Sequence, residues 1–433
     1  MLALACGVFV SIAVCSIYHI CLVGAALLTW RSFRWKELPL SAKWLLMFVM
    51  VGILSTTVNA AAMDDPARLL KIKYPLFGVL GIFLMGSAYK RFLTPCRIEV
   101  LLNLFRISIT VASVYGAVKA LAKFDLLTFS MGGFPDRSSG FTGVMRYSHG
   151  LQMVLVVLSA LLIHRRPSPQ GFHRGLLLVA FVASLIGLWA SGTRGAIVGF
   201  LCAVPFVFFL SHRRHFWLSS VVCWPLAILI VAGNYLRSDA PQTPAAPAAI
   251  IRGMSGDDRL HIFAAALYAV KERPLLGFGP GQFKNQVARL RSQYHLDWKG
   301  RPSSHAHNIF LETAANLGMI GLAALIAWLV CWVREVWSRK DLLAQCVLPF
   351  ICAFIVGGQS EYLLDANNAF MVFFAFSLSS ISLSRKPEDA NEHHSFQDGA
   401  STPLRPKIQV AVAELSPHGH GRAFNASAPH TAI

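Results

Sequence analysis

The chain has 433 residues, of which 55% are hydrophobic and 14% charged, whereas soluble domains carry about a quarter charged residues. Together with a mean hydropathy of +0.54, this composition excludes an ordinary soluble domain and indicates a polytopic integral membrane protein. The formal net charge of +18 does not require a nucleic-acid partner, because much of the Lys and Arg excess falls in short connections between apolar segments.

Apolar segments recur along the whole chain, and a bilayer-spanning helix needs about twenty such residues. The candidate segments are 2–30, 43–61, 74–89, 98–123, 148–164, 175–190, 195–211, 216–234, 307–333, 342–357 and 367–383. Residues 2–30 are long for one helix and short for two, and the segment lacks the cleavage site of a removed signal peptide. We therefore predict an all-α, polytopic membrane fold with about twelve transmembrane helices.

Lys and Arg occupy every second connection between these segments, which assigns those connections to the cytoplasm. The intervening connections are then extracytoplasmic: 62–73, 124–147, 191–194, 235–306 and 358–366. The residues that suggest chemistry all fall on this second side.

Four regions follow from this threading. Residues 1–234 form the N-terminal transmembrane helices, 235–306 a large extracytoplasmic helical loop, 307–384 the C-terminal transmembrane helices and 385–433 a disordered cytoplasmic tail. Within the loop, Ser255 to Asp258 resembles a capping box, and apolar residues then recur at helical spacing until Pro274. This pattern predicts an amphipathic helix over the membrane domain.

The polar loop ends in Ser-Ser-His-Ala-His-Asn at the entrance of an apolar segment. If Ser304 caps a helix that begins near His305, then His307 lies in the first turn, where the helix dipole favours a neutral imidazole that can accept a proton. A stripe of small residues on the same face predicts a tightly packed, rigid helix: Ala314, Gly318 and Gly321. The alternative is an interfacial histidine that only hydrogen-bonds a loop.

Several arginines lie on the same side of the membrane. Arg194 belongs to a Ser-Gly-Thr-Arg-Gly turn between two apolar segments, Arg259 to the loop helix, and Arg137 and Arg146 to a Gly-rich stretch. Each guanidinium offers a planar fork of donors that suits phosphate, so their convergence would fit a pyrophosphate. Each has a structural alternative, which for Arg194 is a snorkelling side chain that anchors a hairpin.

Glu361 lies at an extracytoplasmic helix end, where it could orient a base or bind sugar hydroxyls. The adjacent acidic pairs Asp64-Asp65 and Asp257-Asp258 could supply part of a metal site, but such pairs are more typical of solvated or capping residues. The sequence has no P-loop, nucleophile elbow, zinc-protease motif or dinucleotide fingerprint, which disfavours ATP-driven transport and ordinary serine hydrolysis.

These features together resemble a known family. His307-Asn308, nine residues and then Gly318-Met-Ile-Gly321 is similar to the signature of the O-antigen ligase and polymerase superfamily. The same family shows an arginine in a Thr-Arg-Gly turn, here Arg194, and an arginine-led loop helix followed by Pro-Leu-x-Gly-x-Gly, here Arg259 and 274–279. The likeness covers about residues 130 to 380, and length, threading and the single large loop are most similar to its ligases.

The resemblance implies a glycosyltransferase of the GT-C type in the bacterial inner membrane, with its active site facing the periplasm. Its donor would be an undecaprenyl-pyrophosphate-linked glycan and its acceptor lipid A-core, with no nucleotide sugar, cofactor or metal. Carried over to this chain, His307 would be the base, and Arg194 and Arg259 would hold the pyrophosphate.

Four further site residues rest on side and charge alone: Arg137, Arg146, His305 and Glu361. His305 competes with His307 for the role of base, but its spacing to Gly318 fits the signature less well. An O-antigen polymerase and a protein oligosaccharyltransferase remain alternatives. A transporter is a further one, although charged residues near span midpoints, which it would need, are nearly absent.

Overall fold

The computed structural model describes residues 38–60, 74–76, 78–81, 95–125, 130–131, 137–164, 172–238, 256–296, 305–339 and 341–383. Its elements are α1 (Leu40–Asn59), α2 (Pro95–Leu121), β1 (Phe124–Asp125), β2 (Ser130–Met131), α3 (Val144–His164), α4 (Phe172–Ser191), α5 (Arg194–Ala203), α6 (Phe206–Phe209), α7 (Arg213–Ser238), α8 (Gly256–Glu272), α9 (Phe283–Gln293), α10 (Ile309–Trp337), α11 (Leu342–Gly357) and α12 (Ala366–Leu383). The predictions for residues 2–30, Asp64-Asp65 and the tail 385–433 lie outside the described residues, as does most of 74–89.

The described part is helical apart from β1 and β2, which form a two-residue antiparallel pair. Six of its helices are long and apolar enough to cross a membrane: Leu40–Asn59, Leu102–Leu121, Val144–His164, Arg174–Ser191, Arg213–Ala232 and Ile309–Trp337. Shorter apolar helices are Arg194–Phe209, Leu342–Gly357 and Asn368–Ser380. The helical, multi-span class is thus confirmed, and the count of about twelve spans stays a prediction.

The outer surface of these helices is apolar. On α7, Val221 is 72% exposed and Leu229 67% exposed, which a soluble protein would seldom tolerate along one helix. The interior is apolar as well: Trp328 and Trp332 of α10 are fully buried against Phe376 of α12. Lipid contact accounts for the exposed apolar face.

The predicted segment 195–211 is divided into α5 and α6. Pro205 lies between them, and its ring removes one backbone N–H donor and clashes with the preceding turn, so one continuous helix is not maintained there.

The loop helix ends where its pattern indicates, because α8 ends at Glu272, just before Pro274.

The predicted tightly packed, rigid helix after His307 is buried at Ala314, Gly318 and Gly321, but it is not a single unbroken helix. α10 is broken at Gly318, whose φ of 68° and ψ of −171° are not helical. The loop segment Pro274–Gly279 lies along the break and satisfies its backbone groups. Met319 N donates to Pro274 O at 2.7 Å, and Gly279 N donates to Asn316 O at 2.8 Å. Irregular backbone at membrane depth is stable only with such partners. The absence of a side chain at residue 318 therefore makes room for a loop segment, not for a neighbouring helix.

Candidate active site

The first turn of α10 begins later than the sequence indicates. Asn308, rather than Ser304, is the N-cap, and its side chain accepts hydrogen bonds from the N–H groups of Phe310 and Leu311. His307 therefore lies just before the cap, with a left-handed φ of 50°, and the prediction that it sits in the first helical turn is wrong. Side-chain amides are among the best N-caps, which explains why the helix starts there.

Two imidazoles and one carboxylate meet at this helix entrance. Glu361, which is 6% exposed, contacts His305 Nε2 through one oxygen and His307 Nδ1 at 3.1 Å through the other. The centroids of the two imidazole rings are 4.3 Å apart. The sequence predicted all three residues for the site, although they come from two loops about fifty positions apart.

One backbone and one side-chain hydrogen bond hold the two loops together. Ile309 N donates to Gly358 O at 2.7 Å, and Asn308 Nδ2 donates to Gln359 Oε1 at 3.1 Å. Glu312, in the first turn of α10, accepts a hydrogen bond from Ala306 N at 2.7 Å, which fixes Ala306 between the two histidines. The turn that carries the two imidazoles is therefore held by hydrogen bonds to the loop at Gly358 and to Glu312 of α10.

The electrostatics of the cluster favour an ionised carboxylate. Burial alone would raise the pKa of Glu361, but hydrogen bonds from His305 and His307 outweigh burial and lower the pKa well below its usual range. A fixed anion at this point orients the imidazole N–H groups and stabilises an imidazolium once a ring has taken up a proton. The arrangement is therefore suited to general base chemistry.

The arginines form a second group around the turn between α4 and α5. Arg137 clamps this turn, because its Nε donates to Ser191 O at 2.8 Å and its Nη2 to Thr193 Oγ1 at 2.9 Å. Burial and the nearby charge of Arg194 lower the pKa of Arg137. Neither guanidinium has a carboxylate partner within the described part of the chain, so the pair attracts an anion.

His149 of α3 lies between the two groups, and the sequence analysis missed it. Its ring is 1% exposed and interacts electrostatically with Glu361, Arg259 and His307. A Cβ built on Gly195, the neighbour of Arg194, would lie 3.8 Å from His149 Cε1. The available signal was an ionisable residue inside a predicted span, at the start of segment 148–164.

The remaining predicted site residues differ in placement. Arg259 lies in the first turn of α8, and its buried Nε has no hydrogen-bond partner among the described residues. Arg146 is exposed near the start of α3, and no hydrogen bond or ion pair joins it to the cluster in the described ranges. The structure thus brings together His305, His307 and Glu361, pairs Arg137 with Arg194, and leaves Arg146 apart.

The same cluster has the donor chemistry of a metal site. One ligand atom each from His305, His307 and Glu361 lie within 4.8 Å of one another, and imidazole with carboxylate suits several divalent ions. The absence of a metal stays a prediction.

Fold and site define a polytopic helical membrane protein in which a His–Glu cluster and an arginine pair face the same group of helix ends. Residues 179–326 match the family model described as Wzy_C, O-Antigen ligase. This match supports the resemblance to the O-antigen ligase and polymerase superfamily, whose members are glycosyltransferase-like enzymes of lipopolysaccharide biosynthesis. It includes Arg194, Arg259 and His307, and it ends before Glu361. No curated protein matches the chain.

Proposed function

We propose that this protein is an O-antigen ligase of the GT-C type, which transfers O-antigen polysaccharide from undecaprenyl pyrophosphate to a sugar hydroxyl of lipid A-core. The reaction takes place on the periplasmic side of the bacterial inner membrane. The observation that carries the proposal is the contact of both His305 and His307 with buried Glu361, close to the Arg194 turn.

In this mechanism His307 removes the proton of the acceptor hydroxyl as its oxygen attacks the anomeric carbon of the donor. The bond between that carbon and the pyrophosphate oxygen breaks, and a direct displacement of this kind inverts the anomeric centre. Glu361 orients the imidazole and stabilises its charged form. A positioned base contributes roughly 10²- to 10⁴-fold to the rate.

The departing undecaprenyl pyrophosphate carries the negative charge that develops during the reaction. Arg194 binds this group, Arg137 fixes the turn that bears Arg194 and adds a second positive charge, and Arg259 completes the clamp from the loop helix. Arginines already in place when charge develops need no rearrangement, which is why this kind of stabilisation is large.

The test uses cells that lack their own ligase and express each variant at the wild-type level. His307→Ala and Arg194→Ala should make no full-length lipopolysaccharide, whereas full activity of both variants would refute the site. Products formed with defined acceptors separate the alternatives. Extension of another lipid-linked repeat indicates a polymerase, modification of a protein an oligosaccharyltransferase, and movement of the glycan across proteoliposomes without a new bond a transporter.

A further inference from the structure

The pair His149 and Gln152 is a buried polar group that the mechanism above does not use. Gln152 is fully buried, His149 is 1% exposed, and both lie in α3, one of the helices long enough to cross the membrane. Polar and ionisable side chains in such helices are costly, so they usually have a function.

The hydrogen bonds of this pair fix the tautomer of His149. Gln152 Nε2 donates to Ala353 O of α11 at 2.5 Å, which leaves Gln152 Oε1 as the atom that faces His149 Nδ1 at 2.9 Å. Because Oε1 can only accept, Nδ1 carries the proton and donates it. The ring is therefore held in one orientation by a chain of hydrogen bonds that ends on α11.

The Gln152 amide fills the space that two glycines leave on neighbouring helices. A Cβ built on Gly357 of α11 would lie 2.6 Å from Gln152 Nε2, and one built on Gly199 of α5 would lie 2.5 Å from Gln152 Cδ. A larger residue at either position would displace the Gln152 amide, so the two glycines leave room for the amide in its present place. Three helices, α3, α5 and α11, converge on this amide.

The far edge of the His149 ring lies where the two parts of the candidate site meet. A Cβ built on Gly195 would lie 3.8 Å from His149 Cε1 and 2.7 Å from Ser360 Cβ. Gly195 follows Arg194 in the chain, and Ser360 precedes Glu361. The imidazole edge, the arginine turn and the carboxylate loop therefore share one contact point.

We propose that His149 is a positioning residue, whose anchored ring keeps the Arg194 turn and the Glu361 loop at a fixed separation. The inference rests on the proposed function, in which the arginine holds the leaving group and the Glu361 cluster activates the acceptor. Small misplacements of reacting groups can cost about 100-fold in rate while substrate binding is retained. Loss of the ring should then lower kcat and leave KM nearly unchanged.

Three substitutions separate the ring edge from its hydrogen bond. His149→Ala removes both, His149→Asn keeps an N–H for Gln152 but loses the edge, and His149→Phe keeps a ring but loses the N–H. We expect kcat to fall about 10- to 100-fold for Ala and Asn and clearly less for Phe, with KM within about twofold of the wild type for all three. The neighbouring Ser148→Ala is the control, since its hydroxyl bonds carbonyls of its own helix.

A full restoration of kcat by Asn would overturn the proposal, because the hydrogen bond alone would then be what matters. Wild-type kcat in all three variants, or an effect on KM alone, would overturn it as well. If the Ala variant does not fold, the comparison of Asn with Phe still decides.

A distance measurement tests the inference independently of activity. Nitroxide labels at Trp189→Cys, near the arginine turn, and Gln359→Cys, in the carboxylate loop, would be placed in a background free of the nine native cysteines. We expect the spin–spin distance distribution to broaden or shift in His149→Ala and His149→Asn and to stay narrow in Ser148→Ala. An unchanged distribution in the His149 variants refutes the positioning role. If these variants alter the distribution but the wild type transfers no glycan, only the proposed function is refuted.

Discussion

Glu361→Gln is the substitution that isolates the charge of the carboxylate from its shape. The wild-type carboxylate accepts from both His305 and His307, whereas an amide offers one acceptor oxygen and turns an N–H₂ group toward the second ring. One hydrogen bond is therefore lost, and the acceptor of the other is no longer ionised. Hydrogen bonds to charged groups contribute about 1.5–3 kcal/mol, which corresponds to roughly 10- to 100-fold in rate when the bond stabilises the imidazolium formed in the transition state.

The assay is transfer from a synthetic lipid-linked glycan to lipid A-core by purified enzyme in detergent, with kcat and KM determined for each substrate. Glu272→Gln is a matched control, because this carboxylate pairs with Arg289 in the loop and not with the cluster. The reasoning predicts a fall in kcat for Glu361→Gln and no change for the control. Equal kcat values for Glu361→Gln and the wild type would refute a role for the carboxylate in activating either histidine.

Four further outcomes are expected. Gly318→Ala should lower the free energy of unfolding by about 1–3 kcal/mol, because residue 318 has a left-handed φ and a Cβ there would overlap Leu275 O. Gly175→Ala is the control: its Cβ would meet open space, so its free energy of unfolding should stay the same or rise. Asn308→Ala should lower the free energy of unfolding by about 0.5–2 kcal/mol in the same melting experiment, and an unchanged value would contradict the role of Asn308 as the cap. Folding lowers the pKa of Glu361 from its usual 4.5, so the ionised carboxylate stabilises the folded state above that pH and this stabilisation is lost in acid. Between about pH 5 and pH 3 the free energy of unfolding should therefore fall more for the wild type than for Glu361→Gln. Transfer should survive dialysis against EDTA, and a loss that a divalent ion restores would make the His–Glu cluster a metal site.

The sequence predicts the class of fold and most of the site because both depend on local patterns. Apolar run length identifies the spans, and the alternation of basic connections places His305, His307 and Glu361 on one side, where the structure joins all three. The loop helix is predicted for the same reason, since its periodicity and the following proline are adjacent in the chain.

Features that depend on tertiary contacts were predicted wrongly or not at all. Gly318 fits a helix-packing stripe as well as it fits a helix break, and only the loop at Pro274 decides between them. Asn308 and Ser304 are both good caps, so the start of α10 is set by the contacts of the turn with Gly358 rather than by propensity.

His149 was missed for a similar reason. A histidine at the edge of an apolar segment reads as an interfacial residue until its partners Gln152 and Gly195 are seen around it. Arg137 was predicted to bind substrate, and its hydrogen bonds reveal a second role as the clamp of the turn that bears Arg194.

The most direct test of the central claim is single-turnover transfer in vitro by the wild type, His307→Ala and Arg194→Ala, each shown to be folded by its melting temperature. The account predicts that the wild type joins the synthetic lipid-linked glycan to lipid A-core, releases undecaprenyl pyrophosphate and inverts the anomeric centre. It also predicts that both variants lose at least about 100-fold in rate. Retention of the anomeric configuration, or wild-type rates in either variant, would contradict it.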